Sequence, residues 1–193
     1  MSRTDGSGSP GRVFTQLDDP AAAGAGTLAF GINDYGLIVG QYYDPSGAYH
    51  GFIDDHGTFR TLDYPGASGT WASNVNNTGA IVGGYTDAAG VNHGFLYNHG
   101  RFTTIDAPGA GTTSGAGTAA QSISSNGLID GYIVNDSGTF GWLLHGHEFS
   151  SLNDPNAVPG TSFLANLSSN GRYAMGSYND ANGVTHGFVA TLH

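Results

Sequence analysis

The sequence predicts an all-β chain made of four copies of one four-stranded unit, and three observations carry that expectation. The first is composition. Of 193 residues 33 are Gly, and only 10% are charged. Strong helix formers are rare while Thr, Ser, Asn, Asp and Tyr abound, a balance that favours strands and turns. The second is self-similarity. GINDYGLIVGQYYDPSGAYHGFI from Gly31 matches NVNNTGAIVGGYTDAAGVNHGFL from Asn74, SISSNGLIDGYIVNDSGTFGWL from Ser122 and NLSSNGRYAMGSYNDANGVTHGFV from Asn166, anchored on Gly36, Gly79, Gly127 and Gly171. The third is a second motif between the copies. It reads FRTLDYPGA, FTTIDAPGA and FSSLNDPNA, and appears once more as FTQLDDPAA from Phe14.

Each copy divides into four short strands. In repeat 1, strand a is TLAFGIN, b is LIVGQYY, c is YHGFIDD and d is TFRTLD. Asp44-Pro45-Ser46-Gly47 and Asp87-Ala88-Ala89-Gly90 put Asp first and Gly last between b and c, as a type I turn with a following left-handed residue prefers. Asp55-His56-Gly57 and Asn98-His99-Gly100 close the c–d hairpin, and Pro65-Gly66 and Pro108-Gly109 punctuate the step to the next copy. Four strands every forty-odd residues is the pattern of a propeller blade.

The chain ends on THGFVATLH, a c strand with no d strand after it, and begins with a d-type strand, VFTQLDD, with no unit before it. Residues 13–19 are therefore expected to supply the outer strand of the last unit. The result is a four-bladed β-propeller, four strands per blade, with its last blade closed by the N-terminal strand. Residues 1–12 read as a disordered leader and 13–193 as a single domain. A parallel β-solenoid is the rival, but its rungs are shorter and need no such permutation.

The G-I-N-x-x-G-x-I-V-G-x-Y-x-D-x-x-G-x-x-H-G-F pattern resembles the bacterial HAF-repeat proteins, a family described as extracellular. The resemblance covers nearly the whole chain after residue 12. It implies a repeat fold and carries over no catalytic residues. The leader MSRTDGSGSPGR has no apolar stretch and does not read as a signal peptide, so the compartment stays open.

Charge excludes some partners. The formal net charge is −10, all five basic residues are Arg, and Glu148 is the only Glu. Nucleic acid needs a basic footprint, and an anionic membrane surface is disfavoured on the same ground. No apolar run is long enough to span a bilayer, and with no Cys there is neither a disulfide nor a thiolate metal site. No nucleophile elbow, H-E-x-x-H, P-loop or dinucleotide fingerprint occurs, so no cofactor is expected. Small polar residues along strand a (Asn33, Asn74, Asn76, Ser122, Ser124, Asn166, Ser168) leave room for one structural cation or ordered water in a central channel.

Repeats 1, 2 and 4 share a Tyr, a His and an Asp: Tyr42, His50 and Asp63; Tyr85, His93 and Asp106; Tyr178 and His186 with Asp18. Repeat 3 has Ile133, Phe140 and Asn153 instead. Joint loss suits a hydrogen-bonded unit within each blade better than three ligands converging on one metal. His145-Gly146-His147-Glu148 holds a weak surface metal site at most. Function is sought where the repeats disagree. Asp130 takes a position held by Val39, Val82 and Met175. Gln121 stands where the others have Phe30, Ser73 and Ala165, and Trp71 where they have Leu28, Ala119 and Phe163. The connection 107–118 is longer than its counterparts, as a lid or as a tolerated insertion.

The preferred reading is a binding protein for a small molecule or carbohydrate. Its one asymmetric pocket lies at the channel mouth near repeat 3 and is lined by Trp71, Phe163, Gln121, Asn74 and Asn166. The alternative is a cofactor-independent lyase, isomerase or cyclase, with Asp130 or His93 as general base and Tyr85 as acid. A protein-interaction scaffold is the third reading.

Overall fold

A computed structural model of the chain describes residues 2–4 and 13–193, and it is all-β. Strand β1 (Ser2–Thr4) pairs antiparallel with β2 (Val13–Thr15). A short 3-10 turn at Pro20–Ala22 leads into repeat 1, an antiparallel meander of β3 (Thr27–Ile32), β4 (Leu37–Tyr43), β5 (Tyr49–Asp55) and β6 (Thr58–Leu62). Repeat 2 follows as β7 (Gly69–Val75), β8 (Ile81–Thr86), β9 (Asn92–Asn98) and β10 (Arg101–Ile105). Repeat 3 comprises β11 (Gly117–Ile123), β12 (Ile129–Asn135), β13 (Gly138–His145) and β14 (Glu148–Ser151). Repeat 4 has three strands, β15 (Phe163–Leu167), β16 (Tyr173–Asn179) and β17 (Thr185–Thr191). A parallel pairing of Gly117 with Asn92 fuses repeats 2 and 3 into one eight-stranded sheet.

The turns use the chemistry legible in the sequence. At the b–c hairpins of repeats 1, 2 and 4 one Asp caps two backbone N–H groups, and in repeat 3 Asn135 accepts from the Ser137 N–H. Asp44 accepts from Ser46 and Ala48, Asp87 from Ala89 and Val91, and Asp180 from Asn182 and Val184. The c–d hairpins place His56 and Gly57, and His99 and Gly100, both at positive φ, the condition for a type I′ turn that matches strand twist.

A β-bulge recurs in the first strand of every repeat. Register slips between Ala29 and Gly31, Ala72 and Asn74, Ala120 and Ser122, and Leu164 and Asn166. The extra residues are Phe30, Ser73, Gln121 and Ala165. The bulge drives a carbonyl of the first strand onto a glycine of the second. A Cβ on Gly40, Gly83, Gly131 or Gly176 would fall inside contact distance of the carbonyl oxygen of Leu28, Trp71, Ala119 or Phe163 respectively. This is why every repeat keeps that glycine.

The core lies between repeats. The first strand of each packs on the middle strands of the one before: β7 on β4 and β5, β11 on β8 and β9, β15 on β12 and β13. Ala72 and Val75 meet Val39, Ile53 and Leu62, and Ala120 and Ile123 meet Val82 and Ile105. Leu164 and Leu167 meet Leu143 and Leu152. Side-chain amides in the turns add ties, Asn33 donating to the Asn76 carbonyl (3.1 Å) and Asn76 to that of Ser124 (3.0 Å).

The expected seal between the chain's ends takes a different form. Residues 13–15 pair with β1 and not with β17, and Ser2–Thr4 are a strand where a disordered leader was expected; residues 5–12 lie outside the described residues. No sheet is closed. Repeat 1 consequently exposes Ile32 (66%), although its equivalents Val75, Ile123 and Leu167 are buried, and repeat 4 exposes Met175 (50%) where Val39 and Val82 are buried.

Replacing Gly83 by Ala forces a methyl into the Trp71 carbonyl. We expect a loss of about 3 kcal/mol in denaturant unfolding, the upper end for overpacking; a loss under about 0.5 kcal/mol would contradict the bulge–glycine contact.

Candidate functional site

The four bulge residues converge. Phe30, Ser73, Gln121 and Ala165, one from each repeat, line a single cavity of about 380 Å³ together with Gln41, Trp71, Asn74 and Asn166. Bulges re-aim side chains, and here the same irregularity in four first strands points four residues at one space. The lining is neutral: two Gln, two Asn and one Ser beside Phe30, Trp71 and Ala165.

Its polar groups are unused. The side chains of Ser73, Asn74, Gln121 and Asn166 make no hydrogen bond among the described residues, whereas Gln41 donates to the Tyr43 hydroxyl at 3.0 Å. Trp71 is fixed from behind. A Cβ on Gly84 would collide with its indole, so the glycine is the seat on which the ring lies. Tyr49 packs at its side with centroids 6.2 Å apart and is itself held by the Thr86 hydroxyl at 2.6 Å.

Four of the five residues expected to bind ligand thus share one cavity: Trp71, Asn74, Gln121 and Asn166. Phe163 is not among them. It packs on Tyr132, centroids 4.7 Å apart, and Ala119 is buried, so the apolar notch expected beside repeat 3 is not part of the cavity. Repeat 3 contributes Gln121 alone, and repeat 2 contributes most. The cavity therefore leans on repeat 2, not repeat 3 as expected. Phe30, Gln41, Ser73 and Ala165 went unnoticed as site residues. Their signal was positional: Phe30, Ser73 and Ala165 are the equivalents of Gln121.

The expected acid–base residues lie elsewhere. Asp130 is fully buried and absent from the lining. Its Oδ1 accepts from the Ser122 N–H (2.8 Å) and hydroxyl (2.7 Å), and that hydroxyl oxygen accepts from the Leu167 N–H of repeat 4 (2.7 Å). Oδ2 has no partner among the described residues. Burial pushes the carboxyl up to about 6, against the lowering by the Ser122 bonds. Asp130 is an interface tie between repeats 3 and 4, and Ser122 is the partner that makes a carboxylate tolerable at a position otherwise apolar.

His93 and Tyr85 belong to a clamp within repeat 2. Tyr85 stacks on His93 at 4.9 Å, and the His93 Nδ1 meets Asp106 at 2.7 Å while Nε2 faces Asp87 at 3.5 Å. Burial pushes the Tyr85 hydroxyl up to about 12, which keeps its proton in place. Repeat 1 repeats the arrangement with Tyr42, His50, Asp63 (2.8 Å) and Asp44 (3.5 Å). Burial opposes protonation of His50, but the two carboxylates outweigh it and raise its pKa. The sequence had suggested only the strand-d Asp; the b–c turn Asp is a second partner. In repeat 4 His186 has the turn partner Asp180 at 3.4 Å, while Asp18, its expected partner, accepts from Gln16.

Two other expectations change. The connection 107–118 does not line the cavity. It is pinned outside, by Gly111 to the Val134 carbonyl, by Asn135 to that of Gly109 and by Gly115 to that of Gly90. The polar residues Asn33, Asn76, Ser124 and Ser168, expected to face a channel, cap the a–b turns. Among the described residues no three His, Asp or Glu side chains cluster as a metal site. Comparison with known proteins found no family model that matches the chain and no similar curated protein.

Because the folded pKa of Asp130 is about 6 against an ordinary 3.8, the folded state holds its proton longer than the unfolded chain. The sign follows: no penalty below pH 4, falling stability from pH 4 to 6, and a constant penalty above. In Asp130→Asn that contribution vanishes, so the variant should gain on the parent across this window by up to about 3 kcal/mol. Parallel stability–pH curves would overturn the assignment.

Proposed function

We propose that the four repeats are the blades of a four-bladed β-propeller and that its axial cavity binds a neutral small molecule or a glycan. One observation carries the binding reading: unbonded amides of Asn74, Gln121 and Asn166 face a cavity that also presents Trp71 and Phe30. A sugar ring offers hydroxyls at its edge and C–H groups on its faces. Amides serve the first as donor and acceptor together, and an aromatic face covers the second. No ionisable side chain lines the space, which suits a neutral ligand and leaves acid–base turnover without a proton carrier there. The repeat's resemblance to the HAF-repeat proteins belongs to the same reading.

Three observations support ring closure by the segment FTQLDD. In repeats 1 and 3 the glycine of the H-G-F or F-G-W step is pressed by a d-strand carbonyl (Leu62 on Gly51, Leu152 on Gly141), and Ile105 stands 3.1 Å from a Cβ placed on Gly94. Gly187 is the same glycine, yet its nearest neighbour would be 3.9 Å away; Leu17 on β17 would supply the missing carbonyl. The Asp19 N–H already donates to Thr27 at 2.9 Å, the bond that Tyr64 makes to Thr70 and Ala107 to Thr118 where a d strand hands over to the next blade. Finally, Ile32 and Met175 are the two uncovered halves of an interface buried three times elsewhere.

Closure is read by stability. In a sealed ring Ile32→Ala should cost about 2–4 kcal/mol, comparable to the expected cost of Val75→Ala; a cost below about 1 kcal/mol would leave the arc open. Binding is read by melting temperature against a panel of neutral mono- and disaccharides and polyols. A ligand at ten times its Kd adds about 1.4 kcal/mol, roughly 3–6 °C for a chain this size. The parent should shift, and Trp71→Ala and Asn166→Ala should not. Equal shifts in parent and variants, or none in the parent, would overturn the reading.

A further inference from the structure

A second cavity of about 640 Å³ lies between repeats 3 and 4, away from the axial one. It is lined by Asn126, Leu128, Leu143, His145, Asn170, Gly171, Arg172, Thr191, Leu192 and His193. We infer that this cavity binds an oxyanion carried on a small organic body, a phosphate or sulfate monoester, through Arg172, Asn126, Asn170 and His145.

Charge is the first argument. The chain carries a net −10, with five Arg and eight His against 15 acids, yet this cavity gathers one Arg and two His and no Asp or Glu side chain. Arg172 makes no ion pair among the described residues. Glu148, the cross-strand neighbour of His145, is not on the lining.

The second argument is the orientation of the amides. Asn170 Oδ1 accepts from the Arg172 N–H at 3.1 Å and from the Ser168 hydroxyl at 2.8 Å. Asn126 Oδ1 accepts from the Ser124 hydroxyl and lies 3.5 Å from the Leu128 N–H. With both oxygens committed to their own turns, each amide has only its NH2 left to offer, and neither NH2 has a partner among the described residues. Two amide donors, a guanidinium fork and two imidazoles make a site of N–H groups. A tetrahedral oxyanion, with three or four acceptor oxygens, uses such a set more fully than a planar carboxylate does. Leu128, Leu143 and Leu192 supply an apolar wall, and the volume exceeds that of a bare ion, which points to an ester.

The third argument is that the site breaks the repeat. The a–b turn closes from Asn33 to Leu37, from Asn76 to Ala80 and from Ser124 to Leu128, but from Ser168 to Tyr173 in repeat 4. Arg172 is the additional residue and has no counterpart. His145 takes the position of Asp55 and Asn98, so a basic ring stands where repeat 1 has an acid.

The test is a titration of the full chain with phenyl phosphate at constant ionic strength, followed by the side-chain amide signals of Asn126 and Asn170. We expect saturable shifts. Arg172→Ala should weaken binding at least tenfold, and His145→Asn, which installs the residue of repeat 2, should weaken it measurably while the free proteins melt within about 2 °C of the parent. Trp71→Ala should bind phenyl phosphate as the parent does, which separates this site from the axial cavity. No saturable shift up to about 10 mM, or equal affinity in parent and Arg172→Ala, would overturn the inference.

Discussion

A carbonyl oxygen of the first strand pressed against a glycine of the second is the contact on which the rest of this protein depends. It occurs in all four repeats, at Gly40, Gly83, Gly131 and Gly176. Only a residue without Cβ lets the bulged strand approach so closely, and only the bulge turns one residue per repeat out of the sheet's alternation. Had the four first strands been regular, Phe30, Ser73, Gln121 and Ala165 would follow the pleat, and no common cavity would have these four corners.

The same constraint sorts scaffold from site. Residues that obey the alternation face the preceding repeat and build the core, as Val75, Ile123 and Leu167 do. The bulge residues escape that duty and are free to vary: an aromatic, a hydroxyl, an amide and a methyl at one structural position. The repeated Tyr–His–Asp clamps show the opposite behaviour. Each His is stacked on a Tyr and gripped by Asp residues, on both sides in repeats 1 and 2, where it fixes the b–c hairpin against strand d, and by the turn Asp alone in repeat 4. Their recurrence is that of a fastening, and repeat 3 does without it by using Ile133 and Phe140.

Asp130 illustrates how a departure from the repeat can mislead. A carboxylate at an apolar position reads as chemistry. In the fold it arrives with Ser122, and together they carry a hydrogen bond to Leu167 in the neighbouring repeat. The departures that do gather at cavities are quieter: Gln121 at a bulge, and Arg172 as one additional residue in a turn.

Strand content, the four copies and the b–c and c–d turns of repeats 1 and 2 were legible in the sequence, because β-branched and aromatic runs, Asp-x-x-Gly turns and glycine anchors act over a few residues. That Trp71, Asn74, Gln121 and Asn166 come near one another was legible too, since equivalent positions on the first strands were expected to face a common space. The bulges were not, because a single residue out of register leaves the apolar pattern nearly intact. Nor were the partners of Asp130, the second carboxylate on His93 (Asp87), the position of Phe163 against Tyr132, or the gathering of Arg172 with His145. Each of these depends on which residues distant in sequence share one space, and only packed sheets decide that.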